Sequence, residues 1–185
     1  MKKNLLNIAK GQMGAAHLEA ESNIDVLKSF LRKFIQVFAM TRLPVGSNIR
    51  CRLERLRGVK IGKSVFLAGG NILDRARPDL ITLEDYTSLS GGVQILTHSN
   101  PTAPLKEILG DSVSKVAPVT IKRGAWIAIN AIILPGVTIG ENSIVTAGSV
   151  VSRDIPPFTM VGGSPARVIK KIDIKNKDSN NLYTK

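Results

Sequence analysis

The sequence predicts a mainly β protein, a solenoid of six-residue repeats preceded by a helical segment. Aliphatic residues recur at every sixth position over most of the chain. This spacing fits neither a helix nor an alternating strand. Aromatic residues make up only 4% of the 185 residues, which favours a core of Ile, Val, Leu and Ala in narrow, repetitive layers.

An amphipathic helix is predicted over residues 23–40. Its apolar face comprises Leu27, Phe30, Leu31, Phe34, Ile35 and Phe38, and its polar face comprises Lys28, Ser29, Arg32, Lys33 and Gln36. Ser22 or Asn23 can cap the first turn, and Pro44 with Gly46 ends the helix. Two interpretations stay open, a cap over the open end of the solenoid or a helix lying on a membrane surface.

Positive charge is concentrated near this helix. The net charge is +12, and residues 24–63 hold ten Lys and Arg against two acidic residues. Such a segment faces solvent, anionic lipid, nucleic acid or a phosphorylated ligand. Nucleic-acid binding is disfavoured because no interleaved aromatics or groove-reading motif accompany the charge.

The repeat places twelve aliphatic residues in one register. They are Ile61, Leu67, Leu73, Leu83, Leu89, Ile95, Ile121, Ile127, Ile133, Ile139, Val145 and Val151. A helix would spread these positions around its circumference, whereas a coil made of one short strand and one turn per hexad stacks them on an inward line. Mostly small residues follow four positions later and allow the corners to close.

Two breaks interrupt the repeat and set the domain organisation. Four extra residues, Asp79–Thr82, separate the first two triplets of hexads, and a Pro- and Gly-containing loop at residues 99–120 separates the second triplet from the rest. Long loops inside compact arrays are often functional. We expect a basic helical lead-in at 1–57, the solenoid at 58–172 and a polar tail at 173–185.

Composition also excludes several classes. The single cysteine, Cys51, rules out an internal disulfide and fits a reducing, cytoplasmic location. The two histidines, His17 and His98, cannot form a three-histidine zinc site within one chain, and no metal is expected. The N-terminus lacks the apolar core of an export signal, and no stretch approaches the ~20 apolar residues of a spanning helix.

The sequence resembles a known family in THSNPTAP and in VTIKRGAWIAINAIILPGVTIGENSIVTAGSVVSRDIPPFTMVGGSPARVIKKI. It is similar to the hexapeptide-repeat acyltransferases of the maltose, galactoside and sugar O-acetyltransferase type. The resemblance implies a left-handed parallel β-helix with three hexads per turn, a homotrimer, and an acetyl-CoA site between neighbouring subunits. The lead-in RLERLRGVKIGKSV resembles members that modify surface polysaccharides.

His98 is the predicted general base. It stands where the second triplet gives way to the long loop, and it matches the catalytic histidine of the family. Imidazole, with an ordinary pKa of about 6.5, suits removal of a hydroxyl proton near neutral pH. His17 receives no role. No base is evident beside Cys51, so direct transfer in a ternary complex is favoured over an acyl-enzyme.

Further site residues follow from the resemblance. Those expected along coenzyme A are Trp126, Ile129, Ala147, Ser152, Arg153, Arg167 and Lys170, the last two at its phosphates. An outward Trp126 lines the pantetheine arm, and core or trimer packing is its alternative. Asn71 is a candidate acceptor contact. Asp74 and Asp85 are either acceptor-binding residues or turn formers.

The predicted function is therefore transfer of acetyl from acetyl-CoA to a hydroxyl of a sugar or surface-polysaccharide precursor. An acetyltransferase acting on an antibiotic hydroxyl and a non-catalytic solenoid for assembly are the alternatives. The expected location is cytoplasmic, with peripheral contact to the inner membrane face through the basic helix as an option.

Overall fold

The computed structural model describes residue 31, residues 34–37 and residues 46–173. Within these, the α-helices are α1 (Ser47–Arg57) and α2 (Ala103–Leu109), and 3-10 turns lie at Pro78–Leu80 and Gly110–Val113. The strands are β1 (Lys60–Ile61), β2 (Phe66–Leu67), β3 (Ile72–Leu73), β4 (Ile81–Leu83), β5 (Ser88–Leu89), β6 (Gln94–Ile95), β7 (Val119–Ile121), β8 (Trp126–Ile127), β9 (Ile132–Ile133), β10 (Thr138–Ile139), β11 (Ile144–Val145), β12 (Val150–Val151), β13 (Thr159–Gly162) and β14 (Arg167–Lys171).

The strands stack into three sheets that form the sides of a coil. The first sheet contains β1, β4, β7 and β10, the second contains β2, β5, β8, β11, β13 and β14, and the third contains β3, β6, β9 and β12. Pairing is parallel except between β13 and β14. The predicted fold class, a left-handed parallel β-helix, is confirmed. We name the corners by the sheets they join. The first corner leads from the first sheet to the second, the second corner from the second sheet to the third, and the third corner from the third sheet back to the first.

The repeat register agrees with the sequence prediction. Eleven of the twelve aliphatic positions have at most 2% of their surface exposed, and the twelfth, Ile61, is partly buried against the same core. Each inward residue pairs with its equivalent in the next coil, as Leu67 does with Leu89 and Leu89 with Ile127. The interior is therefore a ladder of stacked aliphatic side chains, and residues of similar size at the twelve repeat positions are enough to fill it.

Most corners share one backbone feature that the sequence analysis missed. The third residue after the inward aliphatic has positive φ at Ser64, Gly70, Tyr86, Gly92, Gly124, Asn130, Gly136, Asn142, Gly148 and Phe158. Glycine and asparagine adopt this region at low cost, which explains their frequency there. The equivalent positions Ala76, His98 and Asp154 do not have positive φ and all lie at the third corner. The third corner is thus where the coil departs from its six-residue spacing.

Helix α1 closes the open edge of the first coil. Backbone N–H groups of each coil donate to carbonyls of the next coil, as Gly62 N–H does to Leu83 O. The equivalent carbonyls of the first coil have no preceding coil to supply an N–H donor. Side chains supply these donors. Arg55 donates to Ile61 O and Gly62 O, and Arg57 donates to Leu73 O. Part of the basic lead-in therefore serves to satisfy backbone carbonyls rather than to face solvent.

The helix predicted at 23–40, for which a solenoid cap and a membrane-surface helix were the two interpretations, lies mostly outside the described residues. Residues 34–37 are helical, but Gln36, placed on the polar face, is the buried one at 2% exposure and donates to Leu73 O. Leu31 and Phe34, from the predicted apolar face, are 59% and 65% exposed. At these positions the contact with the coil edge is therefore made by Gln36 of the predicted polar face, because the carbonyl of Leu73 requires a donor.

The loop at 99–120 contains regular secondary structure. It contains α2 and the 3-10 turn Gly110–Val113, and Val119 and Thr120 already belong to β7. Leu105, Ile108 and Leu109 of the loop expose 41%, 77% and 50% of their surface. Among the described residues, no helix has the length and apolar character needed to cross a membrane.

Candidate active site

His98 lies at the third corner, three residues after the end of β6. It forms an isolated antiparallel bridge with Val116, and the adjacent Ser99 N–H donates to Lys115 O at 2.8 Å. These bonds tie the two ends of the long loop together beside the imidazole. The side chain of His98 keeps 20% of its surface exposed, so the ring is held by the fold and still open to a ligand.

Asp74 is the partner of this histidine. Its Oδ2 lies 2.7 Å from His98 Nδ1, and the carboxyl group is fully buried. Asp74 follows β3, one coil before His98, and therefore occupies the same third corner. The sequence analysis offered Asp74 as an acceptor contact or turn former; its Oδ1 accepts from Ala76 and Arg77 N–H as in a turn former, and its Oδ2 in addition faces the candidate base.

Hydrogen bonds keep the Asp74 carboxylate ionised. Burial alone would raise its pKa, but N–H groups of Thr97 and Arg77 and the His98 ring together hold the pKa below its ordinary value. The Ala76 N–H also donates to it, at 2.8 Å. An ionised carboxylate can only accept, so in the neutral imidazole of His98 the proton sits on Nδ1 and Nε2 carries the lone pair. This tautomer is the one a general base requires.

Asn71 lies at the second corner, away from His98. Its Nδ2 donates to Ala68 O at 3.1 Å, and its Oδ1 accepts from Val93 N–H at 2.9 Å. Only 6% of the residue is exposed. The two polar ends of the side chain bind backbone groups, one in its own coil and one in the next, which supports a role in forming the corner; the acceptor contact stays a prediction.

Asp85 lies at the first corner. Its Oδ1 accepts from Lys63 N–H at 2.7 Å, and a Cβ on Gly62 would lie 2.3 Å from that oxygen, so the turn requires glycine at position 62. The residue lines a surface cavity of about 490 Å³, whose lining includes Lys60 and Arg123 but not His98. Of the two interpretations given for Asp85, the structure favours the turn former.

Trp126 points outward from β8. Its ring is half exposed, and Nε1 donates to Ser90 Oγ at 3.2 Å across one coil. The alternative of core packing is thereby excluded, because the inward position of this strand belongs to Ile127. Nearby at the second corner, Ile129 is 52% exposed and Ala147 sits one coil further on, where Ile129 O accepts from Gly148 N–H.

The other residues predicted along coenzyme A lie elsewhere on the chain. Ser152 and Arg153 are exposed at the third corner, two coils beyond His98. Arg167 and Lys170 are exposed on β14 at the end of the second sheet. The predicted set therefore divides between the second sheet with its second corner and the third corner, and the two corners are separated by one side of the coil, at most about 20 Å for six residues.

Comparison with known proteins agrees with this architecture. The profile of the bacterial transferase hexapeptide family (six repeats) matches residues 118–153. Galactoside O-acetyltransferase from Escherichia coli K12 is 36% identical over 105 residues, which is 54% of this chain and 51% of that protein. The chain thus spans about half the length of the curated relatives it matches.

Two solved structures are similar over most of the chain. A maltose O-acetyltransferase from Clostridium difficile 630 is 29% identical with a TM-score of 0.66, over 84% of this chain and 91% of that one. A hexapeptide-repeat acetyltransferase from Vibrio cholerae O1 biovar eltor, solved with acetyl-CoA, is 24% identical with a TM-score of 0.67, over 85% and 94%. At 24% identity, the similarity to the Vibrio cholerae structure establishes a shared fold only.

The resemblance predicted from the sequence is confirmed: residues 118–153 match the hexapeptide-repeat profile, and galactoside and maltose O-acetyltransferases are among the proteins that are similar to this chain.

Proposed function

We infer that this protein transfers an acetyl group from acetyl-CoA to a hydroxyl of a sugar or surface-polysaccharide precursor. The observation that carries this is the 2.7 Å contact between Asp74 Oδ2 and His98 Nδ1 at the loop-bearing corner. A partly exposed imidazole with its proton fixed on Nδ1 presents a basic Nε2 to an incoming hydroxyl.

Transfer then follows from this geometry. Nε2 of His98 removes the hydroxyl proton as the acceptor oxygen attacks the thioester carbonyl. The tetrahedral intermediate collapses, the carbon–sulfur bond breaks, and the imidazolium returns the proton to the CoA sulfur. The products are the O-acetyl ester and CoA. Asp74 stays ionised throughout and stabilises the imidazolium between the two proton transfers.

Direct transfer is favoured over an acyl-enzyme by the setting of Cys51. The thiol is 4% exposed and packs in α1 against the first coil. Burial raises its pKa, which lowers the thiolate fraction. A nucleophile must be ionised and reachable by the thioester, and Cys51 satisfies neither condition.

We propose coenzyme A contacts at Trp126, Ile129, Ala147, Ser152, Arg153, Arg167 and Lys170. The indole and Ile129 offer exposed apolar surface to the pantetheine arm, and the two β14 cations suit phosphate. The Vibrio relative was solved with acetyl-CoA. The division of these residues between the second sheet and the third corner supports a site in which a neighbouring subunit brings the second corner of one copy beside the third corner of another.

A homotrimer supplies that arrangement, and the outer faces of the sheets support it. The outward residues of the first sheet are Lys60, Thr82, Thr120 and Thr138, whereas those of the parallel strands are Phe66, Ser88, Trp126, Ile144 and Met160 in the second sheet and Ile72, Gln94, Ile132 and Val150 in the third. Two mostly apolar faces and one polar face suit head-to-tail contacts that close into a ring.

The acceptor proposal draws on the galactoside and maltose names of the relatives. We further propose a cytoplasmic location with peripheral contact to the inner membrane face through the basic segment. Arg52, Lys60 and Lys63 are exposed there, whereas Arg50 and Arg57 are buried, so fewer cations are available to lipid than the sequence count suggests.

The test is release of CoA thiol from acetyl-CoA across a panel of acceptors, with wild type and His98→Ala side by side. The panel contains methyl galactoside, methyl glucoside, maltose and N-acetylglucosamine, together with the hydroxyl-bearing antibiotic chloramphenicol. Sugar-dependent release that is lost in His98→Ala supports the proposal. Release with chloramphenicol alone favours the antibiotic-modifying alternative, and no release above the acceptor-free blank favours the assembly module.

A further inference from the structure

A buried ion pair lies behind the candidate catalytic pair. Arg57, at the end of α1, contacts Glu54 one turn earlier, and their side chains are 0% and 4% exposed. The same guanidinium donates through Nη2 to Leu73 O at 3.1 Å and to Asp74 O at 2.7 Å. It therefore holds the backbone of the residue whose carboxylate holds His98.

The backbone at Leu73 and Asp74 depends on such donors. Leu73 ends β3 and Asp74 follows it in the first coil, so no earlier coil supplies an N–H group to Leu73 O. Gln36 Nε2 also donates to Leu73 O, but among the described side chains only Arg57 donates to Asp74 O. Movement of this peptide would shift the Asp74 carboxylate and, through it, the imidazole of His98.

Stability alone is a weak explanation for this pair. Burial lowers the pKa of Arg57 and raises that of Glu54, in both cases against the opposing effect of the partner. Nε of Arg57 is buried and has no hydrogen-bond partner within the described part of the chain. Buried ion pairs with an unsatisfied donor are commonly no more stabilising than apolar residues of similar volume.

We propose that Arg57, held by Glu54, is a positioning residue for the Asp74–His98 pair, so that the capping helix α1 is part of the catalytic centre. Arg57 touches neither acceptor nor thioester and acts through the Asp74 backbone. The kinetic consequence rests on the function proposed above, whereas the geometric consequence for His98 does not.

Arg55 is the matched control. It lies on the same helix and uses the same guanidinium chemistry on the same coil edge, with 2.8 Å to Gly62 O. Its carbonyls, however, belong to the first corner and have no link to Asp74. A purely structural cap would make the two arginines equivalent, apart from the greater burial of Arg57.

The first readout is the histidine ring itself. The chain has two histidines, so ¹⁵N-histidine labelling gives two ring systems, and His98→Asn assigns the signals. A hydrogen-bonded Nδ1–H of His98 is expected in wild type. Arg57→Lys, whose single ammonium cannot reproduce the fork to two carbonyls, should shift or lose that signal, whereas Arg55→Lys should retain it. An unchanged signal in Arg57→Lys would overturn the proposal even if no acceptor is ever found.

The second readout separates kcat from KM, with methyl galactoside as acceptor and acetyl-CoA as donor. Arg57→Lys should lower kcat by about 10- to 100-fold with KM for acetyl-CoA within roughly two-fold, and Arg55→Lys should leave both near wild type. In case Arg57→Lys is unstable, Glu54→Leu with Arg57→Met replaces the pair by apolar volume. Wild-type kcat in that folded double variant, or equal kcat losses in the Arg55 and Arg57 variants, would overturn the proposal.

Discussion

The carboxylate of Asp74 and the Nδ1 of His98 meet at 2.7 Å across one coil of the solenoid. Neither residue is close to the other in sequence; the stacking of coils brings them together at the third corner. Because the carboxylate is buried and also accepts backbone N–H groups, it cannot turn away from the ring. The orientation of the base is therefore built into the repeat architecture.

Asp74→Asn is expected to lower kcat by about 10-fold or more with little change in KM for acetyl-CoA. An amide can present its NH2 to Nδ1, which would place the imidazole proton on Nε2 and remove the base. Steady-state kinetics with acetyl-CoA and the best sugar of the panel measures this. A rise in KM with kcat unchanged would instead indicate that Asp74 serves binding.

His98→Ala is expected to lower acetyl transfer by about 100-fold or more while acetyl-CoA affinity stays near wild type. The reason is that the ring supplies proton transfer and little of the binding surface. Rates come from CoA release, and affinity comes from titration calorimetry. Unchanged turnover would remove His98 as the base, and lost affinity would assign the ring to cofactor binding.

Asp74 should also make stability depend on pH. Its pKa in the folded chain is below the ordinary 3.8, so ionisation favours the folded state, and this contribution is complete above that value. It is lost as pH falls from about 3.8 through the lower pKa of the folded state. The difference in free energy of unfolding between wild type and Asp74→Asn should therefore be largest at neutral pH and shrink below pH ~4.

Urea unfolding of both proteins at fixed concentration and at several pH values checks this. Glu54 shifts in the opposite direction, since burial raises its pKa, but it is present in both proteins and cancels in the comparison. A difference that stays constant down to strongly acidic pH would mean that the Asp74 pKa is not lowered by folding.

The fold was largely predictable because inward aliphatic residues recur at a spacing of six residues. Each inward aliphatic from Leu67 to Val151 is buried as the register predicts, since a coil stacks identical positions. The cap was not predictable from periodicity, because α1 meets the coil through polar side chains such as Arg57 and Glu54, which a search for an apolar face passes over.

The candidate site was predictable only where the evidence is local. His98 was selected as the candidate base from its residue type, its place before the long loop and the family resemblance, whereas the contact of Asp74 with it depends on which residues stack. The sequence did contain the information that places Asp74 near His98. The extra residues Asp79–Thr82 lengthen the first coil, so Leu73 pairs with Ile95 and the residues that follow each of them lie at the same corner. Asn71 and Asp85 were selected by residue type alone, and their corners could be distinguished only by counting hexads.

Ile127→Ala should lower the free energy of unfolding by about 2–5 kcal/mol. Its side chain is fully buried in the middle rung of the second sheet, and the rigid ladder cannot collapse around the cavity. Ile129→Ala is the matched control, because Ile129 is 52% exposed two residues away and should change stability by less than about 0.5 kcal/mol. Equal effects of the two substitutions would contradict the inward register.

Arg167→Ala should weaken acetyl-CoA binding by roughly 5- to 10-fold with little change in acceptor preference, because an exposed guanidinium on β14 supplies a charge-assisted contact to phosphate. Lys171→Ala removes the same charge from the same strand and controls for the general loss of positive potential. Titration calorimetry at two salt concentrations separates the two effects. If both variants bind acetyl-CoA equally, the contribution of Arg167 is long-range attraction and the specific contact is absent.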